Sequence, residues 1–329
     1  MKPRIAILLP EDDPNFLPEE RMRLCDFADV AQYRGKGRPT DDDKVALMIE
    51  ADGAIVGRGG GGLTKPIIEQ CAKLRIVGVI GGGVKMIEPD FLLDRGVAIV
   101  NTAYAMTDAV AEFNLALILN SLRDIPHMID EMREKGWGQA RGEPKNLKEK
   151  VVALIGYGLI ARRVRELLKP FHCPVLVVDP YLAADAADRD YVTVVPLEEA
   201  LSQADVISLH AGLTAETEGM IGERELNLIK DGALIVNTAR GKLFDENALA
   251  RELRTGRIFV SLNVFAREPL PMDSPLRGLP NVILTPHGAG KTVDVWRIQS
   301  EMIVDDMRRF FAGEAPKNRV TREMLERMT

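Results

Sequence analysis

The chain has 329 residues, more than one ordinary core holds, so two domains of roughly 100–200 residues each are expected. A formal net charge of −6 provides no general basic field, which argues against nucleic acid as a partner and leaves any anionic substrate to local cations. Cys25, Cys71 and Cys173 form no C-x-x-C pair, and with His127, His172, His210 and His287 they show no metal-ligand spacing. No apolar run approaches the ~18 residues that span a bilayer, so a soluble, cytoplasmic protein with no metal and no membrane association is expected.

Short apolar runs at 5–9, 54–56, 75–80 and 97–100 alternate with polar segments of helical length, the rhythm of a parallel α/β sheet. A helix starts at Thr107, with Val110, Phe113 and Leu117 at helical spacing and Pro126 beyond its end. The charged, Gly-containing stretch 131–150 reads as a loop or connection. A second series of strands follows at 151–155, 175–178, 192–195, 206–209, 233–236, 259–264 and 282–284, matching a doubly wound sheet. The last segment, 293–311, carries Val293, Ile303, Met307 and Phe310 among charges and reads as one long amphipathic helix, with either domain as its partner.

Gly156-Tyr157-Gly158-Leu159-Ile160-Ala161 directly follows the apolar run 151–155, so a buried strand feeds a glycine-rich turn that opens a helix. Gly156 permits the tight turn, Gly158 lets the backbone approach a pyrophosphate, and Ala161 takes the third small position, where helix packs on strand. The pattern is weak alone and gains from context. Strand 175–178 is closed by Asp179, about 20 positions past Gly158, where a carboxylate accepts both ribose hydroxyls. That carboxylate would repel a ribose phosphate, and Pro180-Tyr181 brings no immediate cation, so NAD is favoured over NADP. The expected architecture is α/β, with two Rossmann-like or flavodoxin-like domains built on doubly wound parallel sheets.

Ligands of open parallel sheets bind beyond the carboxyl ends of the strands. Three such ends carry polar groups: Asn237-Thr238-Ala239-Arg240-Gly241, Phe265-Ala266-Arg267-Glu268-Pro269-Leu270 and Thr285-Pro286-His287-Gly288-Ala289-Gly290. Hydride transfer to a 2-keto acid needs a cation for the carboxylate and carbonyl oxygen, and a proton donor that works near neutrality. Arg240 and His287 suit those roles, and Glu268 could hydrogen-bond the imidazole and favour its charged form. Each alone could be a cap or loop residue; the set beside a dinucleotide turn points to chemistry.

These stretches resemble the motifs of the D-isomer-specific 2-hydroxyacid dehydrogenase family, and the resemblance covers nearly the whole chain. It runs from Val100-Asn101-Thr102 through Ala109-Val110-Ala111-Glu112 and His210-Ala211-Gly212-Leu213-Thr214 to Thr285-Pro286-His287. It implies an NAD-dependent dehydrogenase or 2-keto acid reductase in which Arg240 binds and polarises the substrate, His287 is the general acid/base and Glu268 its partner. Implied contacts to NAD (NADH) come from Gly156, Tyr157, Gly158, Leu159, Ile160, Asp179, His210, Ala239, Asn263 and Gly290, with strand-end packing an alternative for His210. Substrate contacts would come from Arg58, Gly82, Gly83 and Arg240. The resemblance also implies a discontinuous substrate domain, 1–103 plus 291–329, an NAD-binding domain, 104–290, and a homodimer. No appended regulatory module is expected after the last helix.

Some positions depart from the family pattern. Asn263 stands where Asp is usual, removing a negative charge near the expected nicotinamide. Met86 and Met106 replace expected asparagines. The Gly81-Gly82-Gly83 loop reads either as a backbone cradle for a carboxylate or as a flexible turn, and Arg58 either as an anion contact or as a solvated arginine. Two other functions compete: an NADH-sensing corepressor-like protein, against which the retained Arg240, Glu268 and His287 argue, and a formate-type dehydrogenase, a branch that usually has Gln in place of Glu268. A short-chain dehydrogenase is excluded, because none of the five tyrosines has Lys four residues later.

Overall fold

A computed structural model describes residues 2–140, 143–182 and 191–325. The chain divides into two units, Met1–Met106 with Lys291–Thr329, and Thr107–Gly290.

In the first unit, β1 (Arg4–Ile7), β2 (Asp29–Gln32), β3 (Gly53–Gly57), β4 (Ile76–Ile80) and β5 (Ala98–Asn101) form a parallel sheet in the order β2-β1-β3-β4-β5. This is the flavodoxin-like order, with its switch point between β1 and β3. Strand β4, Ile-Val-Gly-Val-Ile, is buried at every position, as a central strand covered on both faces must be. The helix Val293–Phe311, capped by Thr292 accepting from the Val295 N–H, packs in this unit against β4. Its buried face carries Val295, Gln299, Ile303 and Met307, whereas Val293 is exposed. Gly78 permits this close approach, since a Cβ there would stand 2.7 Å from both Ile303 Cδ1 and Met307 Cε. Strand β2 went unread in the sequence: Asp-Val-Ala-Gln is a short edge strand, with an exposed first residue and no buried one.

In the second unit, β6 (Val152–Ile155), β7 (Val175–Val178), β8 (Thr193–Val194), β9 (Val206–Leu209), β10 (Leu234–Asn237), β11 (Phe259–Leu262) and β12 (Val282–Leu284) form a parallel sheet. Its order is β12-β11-β10-β9-β6-β7-β8, that of a Rossmann fold, and its switch point lies between β6 and β9. Apolar clusters cover both faces. The helix expected from Thr107 spans Thr107–Leu122. Pro126 lies past that helix's end, as expected, and sits in the first turn of a further helix, Ile125–Lys135, so the stretch expected as a loop from 131 begins in helix. Proline fits the first turn because its missing N–H has no partner there, and Asp124, in the left-handed region at φ 51°, makes the corner.

Candidate active site

Strand β6 ends at the switch point of the second sheet, and the glycine turn follows it directly. Gly156 has φ 90°, a left-handed conformation, and a Cβ there would stand 2.6 Å from the backbone nitrogen of Ala211, just past β9. Gly158 caps the helix Leu159–Leu168 with extended backbone and no side-chain cap, and a Cβ there would meet nothing within 4 Å. Uncapped helix N–H groups beside open space form a cradle that suits a pyrophosphate. Asp179 accepts from the Tyr157 N–H at 2.7 Å through Oδ2 and from the Tyr181 N–H at 2.8 Å through Oδ1. One carboxylate thereby ties the glycine turn to the end of β7 and keeps a lone pair on each oxygen for a ribose hydroxyl. Tyr157 is buried beneath the Arg162 guanidinium, which lies 4.6 Å from its ring centre. Leu159 is exposed and Ile160 half-buried. These residues fit a nicotinamide dinucleotide.

His210 follows β9, its N–H donating to the Ile155 carbonyl at 2.7 Å, so it abuts the glycine turn. Its Nε2 shares a hydrogen bond of 2.9 Å with Ser208 Oγ, and Asn114 Nδ2 donates to Ser208 Oγ at 2.9 Å and to Thr238 Oγ1 at 3.2 Å. Burial lowers the pKa of His210 from 6.5 to about 4, so this imidazole is neutral at physiological pH.

At the ends of β10 to β12 a second constellation assembles. Asn237, fully buried, accepts from the Ala239 N–H at 3.0 Å and donates to the Arg240 carbonyl at 2.9 Å, which fixes the turn presenting Arg240. Gly241 lies against the next loop so closely that a Cβ would stand 1.9 Å from the Phe265 carbonyl carbon. Arg240 Nη1 donates to the Ala239 carbonyl at 2.8 Å. Burial lowers its pKa and the charge of Glu268 opposes that shift, so the cation is partly desolvated and sees the carboxylate. Glu268 Oε1 accepts from the Phe265 N–H at 3.1 Å, and its Oε2 lies 2.7 Å from His287 Nδ1. The structure thus brings Arg240, Glu268 and His287 to one rim. Nδ1 is engaged by the carboxylate, which leaves Nε2 of the half-exposed ring to exchange a proton with a substrate.

Asn263 is fully buried, its Nδ2 donating to Thr285 Oγ1 at 3.0 Å and its Oδ1 accepting from the Ala289 N–H at 3.3 Å. Ala239 and Gly290 are half-buried at the same strand ends.

In the first unit, the loop after β3 lies at the switch point of its own sheet. A Cβ at Gly60 would stand 2.4 Å from the Leu8 carbonyl oxygen and one at Gly62 2.3 Å from that of Met86, so these glycines are packed in place. Arg58, which opens the loop, is exposed. Sequence reasoning missed Lys44, a buried lysine that donates to the Gly62 carbonyl at 2.9 Å and to Asp41 at 3.1 Å, bracing the loop from behind. Its only signal was a cation in a helix whose capping box begins at Thr40. The Gly81–Gly83 loop is pinned: the Gly81 N–H donates to Thr102 Oγ1 at 2.8 Å, and Asn101 Nδ2 donates to the Gly82 carbonyl at 2.9 Å.

Residues 115–289 match the profile of the D-isomer specific 2-hydroxyacid dehydrogenase NAD binding domain. This chain belongs to the D-isomer-specific 2-hydroxyacid dehydrogenase family. A glyoxylate reductase of Korarchaeum cryptofilum is 35% identical over 332 residues, covering 99% of this chain and 98% of its own. A D-3-phosphoglycerate dehydrogenase of Methanocaldococcus jannaschii is 33% identical over 281 residues, covering 85% of this chain and 53% of its own; this chain spans about half the length of such relatives. Among solved structures, a glyoxylate reductase from Paecilomyes thermophila superposes with a TM-score of 0.86 at 24% identity, over 98% of this chain and 99% of its own, which shows the shared fold. The matched residues 115–289 lie within the second unit, Thr107–Gly290.

Proposed function

We propose that this protein is an NAD-dependent D-2-hydroxyacid dehydrogenase that reduces a small 2-keto acid. The observation that carries the reading is the 2.7 Å contact between His287 Nδ1 and Glu268 Oε2 on the rim that also holds Arg240. Arg240 binds the substrate carboxylate and polarises the carbonyl, offering a desolvated cation to the oxyanion as it forms. A bound NADH supplies the hydride to the keto carbon. Glu268 holds the imidazole by Nδ1, and His287 gives its Nε2 proton to the nascent alkoxide; in oxidation it takes that proton back. Asp179 receives the ribose hydroxyls and selects NAD against NADP. The helix that opens at Leu159 receives the pyrophosphate. Tyr157, Ile160, His210, Ala239 and Gly290 complete the dinucleotide site, to which the fully buried Asn263 presents no surface, while the 1–103 plus 291–329 domain supplies Arg58 and the backbone amides of Gly82 and Gly83 as anion contacts.

A cytoplasmic location is part of the proposal, supported by three free cysteines; no helix among the described residues is long and apolar enough to cross a membrane. So is a homodimer, supported by the apolar side chains Ile129, Met132 and Trp137, which are exposed on and just beyond the helix Ile125–Lys135.

The test is oxidation of NADH and NADPH by the purified protein against a panel of 2-keto acids, with His287→Ala in parallel. Turnover with NADH that falls by ~10²–10⁴-fold in the variant is expected. Turnover that survives in His287→Ala overturns the acid/base assignment, and tight NADH binding without turnover on any acid would favour a dinucleotide sensor.

A further inference from the structure

Asn263 is a neutral amide, fully buried at the end of β11, and its surroundings give it a definite task. It follows β11, and its backbone N–H donates to the Asn237 carbonyl at 3.0 Å, locking the ends of β10 and β11 together. Its side chain spans to the loop beyond β12 and grips that loop twice, at Thr285 Oγ1 and at the Ala289 N–H. Those residues stand two positions before and two after His287.

The grip has a direction. Asn263 Nδ2–H donates to Thr285 Oγ1, which in turn donates to the Leu262 carbonyl at 3.1 Å, while the Thr285 N–H reaches the same carbonyl at 2.9 Å. The amide oxygen serves the other side of the loop. The amide donates to one flank and accepts from the other without placing a charge at a fully buried site, which a carboxylate could not do. The symmetry with Asn237 is close, since that residue likewise accepts from one backbone N–H and donates onward in the turn that carries Arg240. Two buried asparagines on adjacent strand ends, bonded to each other through the backbone, each brace the loop of one reactive side chain.

We infer that Asn263 is a positioning residue for His287: with Thr285 it clamps both flanks of the His287 loop and holds the imidazole against Glu268. This rests on the reading of His287 as the acid/base. A clamp acts on the proton donor and therefore on kcat, whereas a dinucleotide contact would act on NADH affinity.

The experiment compares Asn263→Ala, Thr285→Val, Thr285→Ser and His287→Ala in the full chain. It measures kcat and KM for keto acid reduction, the NADH Kd by fluorescence quenching, and the His287 ring resonances, assigned by their absence in His287→Ala. Asn263→Ala and Thr285→Val are expected to lower kcat about tenfold or more, with NADH Kd within about twofold of wild type. Both should shift the His287 ring resonances, and Thr285→Ser, which keeps the hydroxyl, should recover most of the loss. An unchanged kcat in Asn263→Ala, or a Kd weakened by the same factor as kcat, overturns the clamp. If the wild type reduces no keto acid, the functional reading has failed by itself. The ring resonances still decide the clamp: displaced in Asn263→Ala they support it, and unmoved they refute it.

Discussion

Two histidines at the strand ends of the second unit are held in opposite ways. His287 is half-exposed and faces a carboxylate; His210 is sunk beside Ser208, and loss of solvation takes its pKa from 6.5 to about 4. The sign of the consequence follows from linkage. Above pH 6.5 the ring is neutral in folded and unfolded chains alike. As pH falls from 6.5 towards 4 the unfolded chain takes up a proton that the folded chain refuses, so stability drains with acid and the loss levels off below about 4. Its ceiling is ~3 kcal/mol. Thermal unfolding of wild type and His210→Gln through that window should show the wild type losing more stability on acidification. Parallel curves would remove the imidazole as the source.

Between strands, one glycine sets the spacing of the rim. Arg240 and Glu268 sit on successive loops, after β10 and β11, and Gly241 lets those loops touch backbone to backbone, with no room for a Cβ beside Phe265. Gly241→Ala must push the 265–266 backbone away and carry Glu268 with it. The expected result is a fall in kcat/KM of ~10²-fold, since displacement of about 1 Å is enough for such a loss. Activity that stays at the wild-type level in Gly241→Ala would show that the loop yields without moving the dyad. The elements that escaped the sequence failed for local reasons. β2 has no buried face to impose a period-2 pattern, and the helix Ile125–Lys135 has no buried residue, so its apolar stripe reads as scattered hydrophobics in a charged stretch.

At the scale of the molecule, apolar side chains on and just beyond that same helix stand exposed among the described residues. Ile129, Met132 and Trp137 are 44%, 49% and 80% exposed, an apolar surface that a second copy of the chain would remove from water. Sedimentation of the wild type should give a dimer, and Met132→Glu combined with Trp137→Asp should shift it towards monomer. A wild type that sediments as a monomer at micromolar concentration would refute the assembly.

By itself the sequence determined the α/β class of both units, the strand order of events along the chain and the place of the glycine turn. These follow from local periodicity, from glycine's access to left-handed backbone and from a helix opening directly after a buried strand. It also singled out Arg240, Glu268 and His287 as residues at strand ends, since a strand's end is visible where its apolar run stops. Only the tertiary structure decided what holds them. Lys44 beneath the Gly59–Gly62 loop, Asn114 beneath His210, and Asn263 gripping both flanks of His287 find their partners 18, 94 and up to 26 residues away. Which buried donor meets which acceptor across that distance is fixed by sheet order and close packing, and no local pattern of residues records it.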